Sequence, residues 1–574
     1  MFKRFGPYLK PYTRYCIIGP LFKLIEAILE LYLPLLMAHV IDRGLAGGDR
    51  AYVTRMGFVM VGIVAFGLCS ALICQYVASI TSQGFGTELR NVLFRHITKL
   101  SHTDLDRFGT ASLINRVTAD VNQLQYAVAM LIRLVIRAPF LCIGGVIMAM
   151  TINLTLSLVI IVAIPLLVLL IWLVMKFTVP LHRAVQKRLD TLSRVVRENL
   201  SGVRVIRAFA RTERERTRFD DATEQHTAAA IRVGRLAAVL NPATTLIMNI
   251  AILCIIWFGG IQVKSDSMTA GEIIAFINYV NQILVALTVV ANLVVTFTKT
   301  VASAGRISDV LDTPPAPNGL PESPAPVAGA PRLAFDHVSF SYGGGDRELT
   351  DISFAVPAGG VVGIIGGTGA GKSTLIRLLM RFYDATEGMV LLDGVDVRQY
   401  PTDALRARMG LVSQKIELFS GSIADNIRWG KQDATDEDVQ EAARMAQADE
   451  FIRAKADGYQ TQVERGGANL SGGQRQRLSI ARALVRKPDI LILDDASSAL
   501  DYATDASLRR ALRAASHNMT VLTVSQRVSA VRDADLILVM DDGQLAGCGT
   551  HEQLRAECPV YAEICESQER GVEQ

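Results

Sequence analysis

The chain has 574 residues, half of them hydrophobic, and its 59 Lys and Arg against 55 Asp and Glu leave a formal charge of only +4. So small an excess gives no argument for nucleic-acid binding, and the length exceeds one ordinary domain. Long apolar runs fill the chain before residue 300 and a soluble-looking mixture follows, so a membrane part precedes a globular part. The eight cysteines show no metal-ligand spacing and read as reduced, inert thiols.

In chain order, "MFKRFGPYLKPYTRY" is basic and aromatic without a cleavage site, which reads as an uncleaved interfacial entry helix. Apolar stretches long enough to cross a ~30 Å hydrocarbon core then lie at about 16–41, 57–80, 128–151, 154–175, 238–262 and 271–297. Between the second and third stands a basic segment with Arg90, Arg95, Lys99, Arg107 and Arg116. Another, between the fourth and fifth, carries Lys187, Arg188, Arg194, Arg197, Arg204, Arg207 and Arg211. The opposite connections, "TINLT" and "QVKSDSMT", carry little positive charge, so both termini and both basic segments are expected in the cytoplasm. Apolar residues recur at helical spacing through these segments, which therefore read as membrane helices continuing into the cytosol.

Polar residues within apolar spans are costly and thus informative. Glu26 and Glu30 share one face of the first span, with Lys23 three residues before Glu26. On the last span Asn278, Gln282, Asn292, Thr296 and Lys299 follow steps of four and three through Val285 and Val289. These faces either line a substrate cavity or bond helix to helix. Arg133 and Arg137 are expected at the cytoplasmic boundary of the third span.

"DTPPAPNGLPESPAPVAGAP", residues 312–331, is a proline-rich linker that divides a membrane domain at 1–311 from a second domain at 332–574. There strand and helix signals alternate, as an α/β domain requires. Within "VVGIIGGTGAGKSTLIRLL" an apolar strand runs into Gly366, Gly367, Thr368, Gly369, Ala370, Gly371, Lys372 and Ser373, and Thr374 opens a helix. Glycines let backbone N–H groups close around phosphates, Lys372 supplies a point charge, and the Ser373 hydroxyl suits Mg2+.

After that loop come Gln414 in "LVSQ", "LSGGQ" at 470–474, "ILILDD" at 490–495 and "SALD" at 498–501, with Tyr342 in "VSFSY" before it. This order resembles ABC-transporter ATPase domains. Upstream, "HTDLDRFGTASLINRVTADVNQL" and "ENLSGVRVIRAFARTERERTRF" resemble the two intracellular loops of exporter-type ABC half-transporters, so the resemblance covers nearly the whole chain. It implies a six-helix membrane domain fused to a P-loop ATPase in a multi-pass protein of the bacterial cytoplasmic membrane. Tyr342 would stack on adenine. Ser373, Gln414 and, through water, Asp494 would hold the Mg2+ that accompanies ATP. Asp501 would cross a dimer interface, and Glu464 resembles the acidic loop that meets the membrane domain. Segments near 105–115 and 200–211 would carry the coupling helices. Ser471, Gly472, Gly473 and Gln474 would face ATP held by a partner.

The resemblance also exposes two departures. The family's catalytic Glu and downstream His fall at Asp495 and Gln526. Binding groups are kept while chemistry groups are altered, a pattern similar to the degenerate-site subunit of bacterial heterodimeric ABC multidrug exporters, whose partner carries the consensus Glu and His. A competent homodimer and an ATP-gated channel or regulatory subunit stay open as alternatives. The acids of the first span favour amphipathic cations, so multidrug export is preferred over lipid or peptide export, with membrane lipids and a small amphipathic substrate as the other partners.

Overall fold

The computed structural model describes residues 2–320, 322–496, 499–515 and 519–570. Ser498, which opens the "SALD" motif, and Met1 of the entry segment lie outside the described residues. The chain divides into two compact units, Met1–Thr98 with Ala111–Asp312, and Lys99–Thr110 with Thr313–Gln574.

The first unit is helical. Six long apolar helices run over Gly6–Leu45, Arg50–Ile97, Thr110–Ile152, Leu154–Ser201, Thr212–Lys264 and Ala270–Asp312. The second and fourth each have 48 residues, roughly 72 Å at 1.5 Å per residue, so the basic segments prolong them well beyond a hydrocarbon core. Their outward faces are apolar, as Phe58, Val61, Leu68 and Leu72 illustrate, while Ser70, Thr81 and Ala78 face other helices. Asp49 and Asn153 start the second and fourth helices by accepting from the N–H groups of Tyr52 and Leu156, at 3.0 and 2.9 Å. At the opposite end from the basic segments, Asp42 accepts from the Thr269 hydroxyl at 2.6 Å and the Gly271 N–H at 2.8 Å, which ties the first helix to the start of the sixth. The third helix is interrupted between Val121–Arg133 and Arg137–Ile152.

The second unit is built on a six-stranded sheet. In spatial order its strands are Gln544–Gly549, Leu536–Asp541, Val361–Gly366, Thr520–Ser525, Ile490–Asp494 and Met409–Val412, all parallel except the first. Val362, Ile364, Ile492 and Leu522 alternate into a core that the helix Lys372–Leu379 covers with Leu375 and Leu378. An antiparallel four-stranded sheet packs on that core through Leu333, Phe335 and Val390. A helical lobe has its own core of Ile423, Ile427, Val439 and Leu478. Because Val521 pairs with Val361 and Leu491 in parallel register, three neighbouring strands end at one edge of the sheet. That edge receives Gly366, Asp494 and the residue after Ser525, the usual place for a ligand in such sheets.

Candidate nucleotide site

A pocket of about 210 Å3 occupies that edge. Thr368, Gly369, Ala370, Gly371, Lys372, Ser373 and Thr374 line one side, and Gln414, Asp494, Asp495 and Gln526 the other. Gly369 and Gly371 have φ of +85° and +89°, and a Cβ on Gly371 would stand 2.5 Å from the Leu349 side chain, so only glycine allows this curl. The Lys372 ammonium donates to the carbonyls of Gly366 and Gly367 at 2.9 and 2.6 Å, which folds it back over the loop. Burial pushes Lys372 below its ordinary value, and the facing Asp494 and Asp495 partly restore it. Burial likewise lifts the Asp494 carboxyl, helped by Asp495 and opposed by Arg377 and Lys372. Asp495 has a left-handed backbone with φ of +51°, and its N–H donates to the Val524 carbonyl at 2.9 Å. The Gln526 amide donates to the Thr368 hydroxyl at 3.4 Å, which ties it to the phosphate loop.

This chemistry fits a magnesium nucleotide: a glycine loop with a lysine for phosphates, and a hydroxyl, an amide oxygen and a carboxylate as hard donors for Mg2+. Tyr342 stands outside the pocket lining but touches it, its hydroxyl 3.3 Å from that of Thr374 and accepting from Arg377 at 2.9 Å. Glu348 and Ser525 line the pocket without any motif to announce them.

Ser471 to Gln474 and Asp501 do not line this pocket. Ser471 caps the helix Gly472–Leu484 in a reciprocal box, its hydroxyl accepting from the Gln474 N–H at 3.3 Å and its own N–H donating to the Gln474 side chain at 3.1 Å. A Cβ on Gly473 would meet the Ala499 carbonyl at 3.1 Å, so the glycine lets this helix start against the segment that leads to Asp501.

Of the two loop segments, Lys99–Thr110 belongs to the ATPase unit. Its helix His102–Phe108, capped by Ser101, sets the His102 ring 4.5 Å from Phe382, and Tyr383 donates to Asp106. Burial and then the Asp106 carboxylate push Tyr383 up to about 12, while burial and Arg406 push His102 down. Leu200, Val205 and Phe209 of the other segment are exposed.

In the membrane unit Glu30, Asn278 and Gln282 line a cavity of about 210 Å3 with Arg137 and Asn281. Glu26 is not on its wall: its carboxylate takes Lys23 at 2.6 Å and lies 4.0 Å from Arg137. Asn292 is also off the wall, because the sixth helix carries it past Val289, the last lining residue of that helix. Arg137 departs from the boundary role expected of it. Its guanidinium pairs with Glu30 of the first helix at 2.6 Å, a partner 107 residues away that no local pattern reveals. An apolar groove lined by Val135, Pro139, Leu293, Val294 and Phe297 follows along the third and sixth helices.

Six apolar spans joined to a phosphate-loop ATPase with an LSGGQ helix define a membrane transport ATPase. The chain belongs to the ABC transporter family: residues 16–287 match the ABC transporter transmembrane region and residues 349–498 the ABC transporter model. It is 41% identical over 569 residues to an ABC transporter ATP-binding protein of Mycobacterium tuberculosis, covering 98% of this chain and 97% of that one. To an ATP-dependent lipid A-core flippase of Chromohalobacter salexigens it is 33% identical, covering 98% and 97%. A solved structure of a bacterial Atm1-family ABC exporter with ATP bound matches at a TM-score of 0.81 and 27% identity, covering 97% of this chain and 98% of that one. The chain is thus an exporter-type half-transporter, a multi-pass membrane protein whose second unit is an ATP-hydrolysing transport enzyme.

Proposed function

We propose that this chain is the degenerate-site half of a heterodimeric exporter, holding Mg2+ and ATP on its own phosphate loop but hydrolysing slowly there, and lending its LSGGQ to a partner with the consensus Glu and His. The observation that carries this reading is the pocket lining, in which Lys372, Ser373, Gln414 and Asp494 stand intact beside Asp495 and Gln526. An Asp is one methylene short of the family's Glu, and a displacement of about 1 Å costs on the order of 10²-fold in rate. Gln526 holds its hydrogen bond to Thr368 but has no proton to exchange near neutral pH. Two exposed features support a partner: the capped N-terminus at Ser471, and the apolar residues Val205 and Phe209 near the second loop's tip. Both termini and both basic segments face the cytoplasm in this reading.

The substrate is an amphipath. Lys23 and Arg137 neutralise Glu26 and Glu30, which removes the preference for cations that the acids alone suggested. A polar cavity continued by an apolar groove suits a lipid-like molecule with a polar head, and the flippase relative points the same way.

Steady-state ATPase of the chain purified alone in lipid nanodiscs tests the central claim. The expected turnover is far below the enzyme median of about 10 s⁻¹, rising on the order of tenfold or more in the Asp495→Glu, Gln526→His double variant. Turnover near the median from a verified homodimer rejects the heterodimer reading.

A further inference from the structure

The ATPase unit holds a cavity larger than the nucleotide site. A cleft of about 910 Å3 opens between the helix Tyr502–Ala515 and the C-terminal helices His551–Glu557 and Pro559–Arg570. Its floor is the underside of the sheet and the inner face of the helix Tyr502–Ala515: Leu493, Val521, Leu508 and Leu512, each at most 5% exposed. Its rim carries Arg509, Arg510, Arg513, Arg532 and Arg555 against Asp505, Asp533 and Glu569.

Pairing removes most of this charge. Arg509 takes Asp505 at 2.8 Å, Arg555 takes Glu569 at 3.0 Å and Arg513 takes Asp535 at 3.3 Å. Arg510 bonds only to its own helix, at Ala506 and Ser507, and Arg532 has no ion-pair partner among the described residues. Those two arginines against Asp533 leave one net positive charge on the rim. The Arg509 Nε is buried without an acceptor, a donor of the kind a bound anion satisfies. His551, on the same wall, is pushed down by burial and by Arg532 and Arg555, as a positive field requires.

We propose that this cleft is a regulatory site for a small soluble amphipathic anion, an apolar chain of about ten carbons ending in a carboxylate or a phosphate, within the volume range of small-molecule pockets. The apolar floor excludes inorganic polyanions, which gain nothing there, and one net charge excludes nucleotides. The ligand's effect reaches the nucleotide site through the strands: Leu493 and Thr523 on the cleft directly precede Asp494 and Val524 on the wall of the nucleotide pocket. A ligand clamping Arg509 and Arg510 also fixes the helix Tyr502–Ala515, whose Thr504 N–H donates to the Asp501 carboxylate at 2.9 Å. This site is independent of the partner assignment above, because every wall belongs to one chain's ATPase unit.

The test is photolabelling of the full chain in nanodiscs with diazirine-bearing decanoate, decyl phosphate and neutral decanol, followed by peptide mapping and ATPase assay. The expected result is labelling of the Tyr502–Ala515 or C-terminal helices by one or both anions, at least about tenfold above decanol, the scale of one charge-assisted hydrogen bond. Which anion labels assigns the carboxylate or the phosphate source. Arg510→Glu with Arg532→Glu, and separately Leu512→Trp to fill the floor, should abolish this labelling while azido-ATP labelling at the phosphate loop stays unchanged. ATPase should respond to the anion in the native chain and not in the charge-reversed one. Equal labelling by decanol, labelling that survives charge reversal, or labels confined to the membrane unit overturns the site; saturating label without any ATPase change overturns its regulatory role.

Discussion

Asp494 shows how the nucleotide site trades stability for chemistry. Burial holds its carboxyl above the ordinary value, so the folded protein binds that proton more tightly than the unfolded chain does. The resulting contribution to stability is present below the unfolded carboxylate's pKa and is lost as pH rises through the raised one. At neutral pH the native chain carries this penalty, and an amide does not. Asp494→Asn is therefore expected to raise the nucleotide-free melting temperature by ~2–4 °C, the response of a domain this size to about 1 kcal/mol, while Mg2+-dependent ATP binding is lost. Scanning calorimetry with and without magnesium nucleotide checks both halves, and a lower melting temperature without ligand would count against the burial argument. Asp495 and Gln526 were legible because motif spacing fixes them; Glu348 was not, since it reaches the pocket from a strand whose pairing no local pattern encodes.

Two short helices carry the next set of consequences. The Ser471 cap presents N–H groups to the outside, and in the proposed pairing its chemistry serves a nucleotide held by the partner. Ser471→Arg is expected to stop most ATPase and transport of the assembled pair although this chain's phosphate loop is untouched; unchanged turnover would refute the assignment. The helix His102–Phe108 is seated by His102 against Phe382 and by Asp106 on Tyr383. Because burial depresses His102, the folded seat prefers the neutral ring. Its contribution is full above the unfolded His pKa of about 6.5 and declines as pH falls below that, through the depressed value. Substrate-stimulated ATPase should accordingly fall on acidification, and His102→Phe should flatten that part of the profile. Helix existence was readable from apolar periodicity, as the long spans prove. The pairing of Arg137 with Glu30 was not, because it depends on how the first and third helices pack.

At the scale of the whole molecule the sequence conveyed the order of parts, six spans and then an α/β ATPase, because hydropathy and strand–helix alternation are strong one-dimensional signals. It conveyed less about where the parts divide, since Lys99–Thr110 lies between two spans and yet belongs to the ATPase unit. A protein made from residue 313 onward would lack this helix and leave Phe382 and Tyr383 uncovered. It is expected to melt lower than the same domain supplied with a peptide of residues 99–110, and a differential scan with and without that peptide measures the gap. The same arrangement has a temporal side. A ribosome adding about 5–20 residues per second finishes Lys99–Thr110 on the order of tens of seconds before it reaches the last strands of the sheet that completes its docking domain. For that interval the helix His102–Phe108, whose Leu105 and Phe108 are half-buried in the finished protein, waits beside the nascent membrane helices without its docking domain. Biogenesis of this transporter is therefore open to proteolysis and chaperone capture at the loop between its second and third spans long before the ATPase unit exists to cover it.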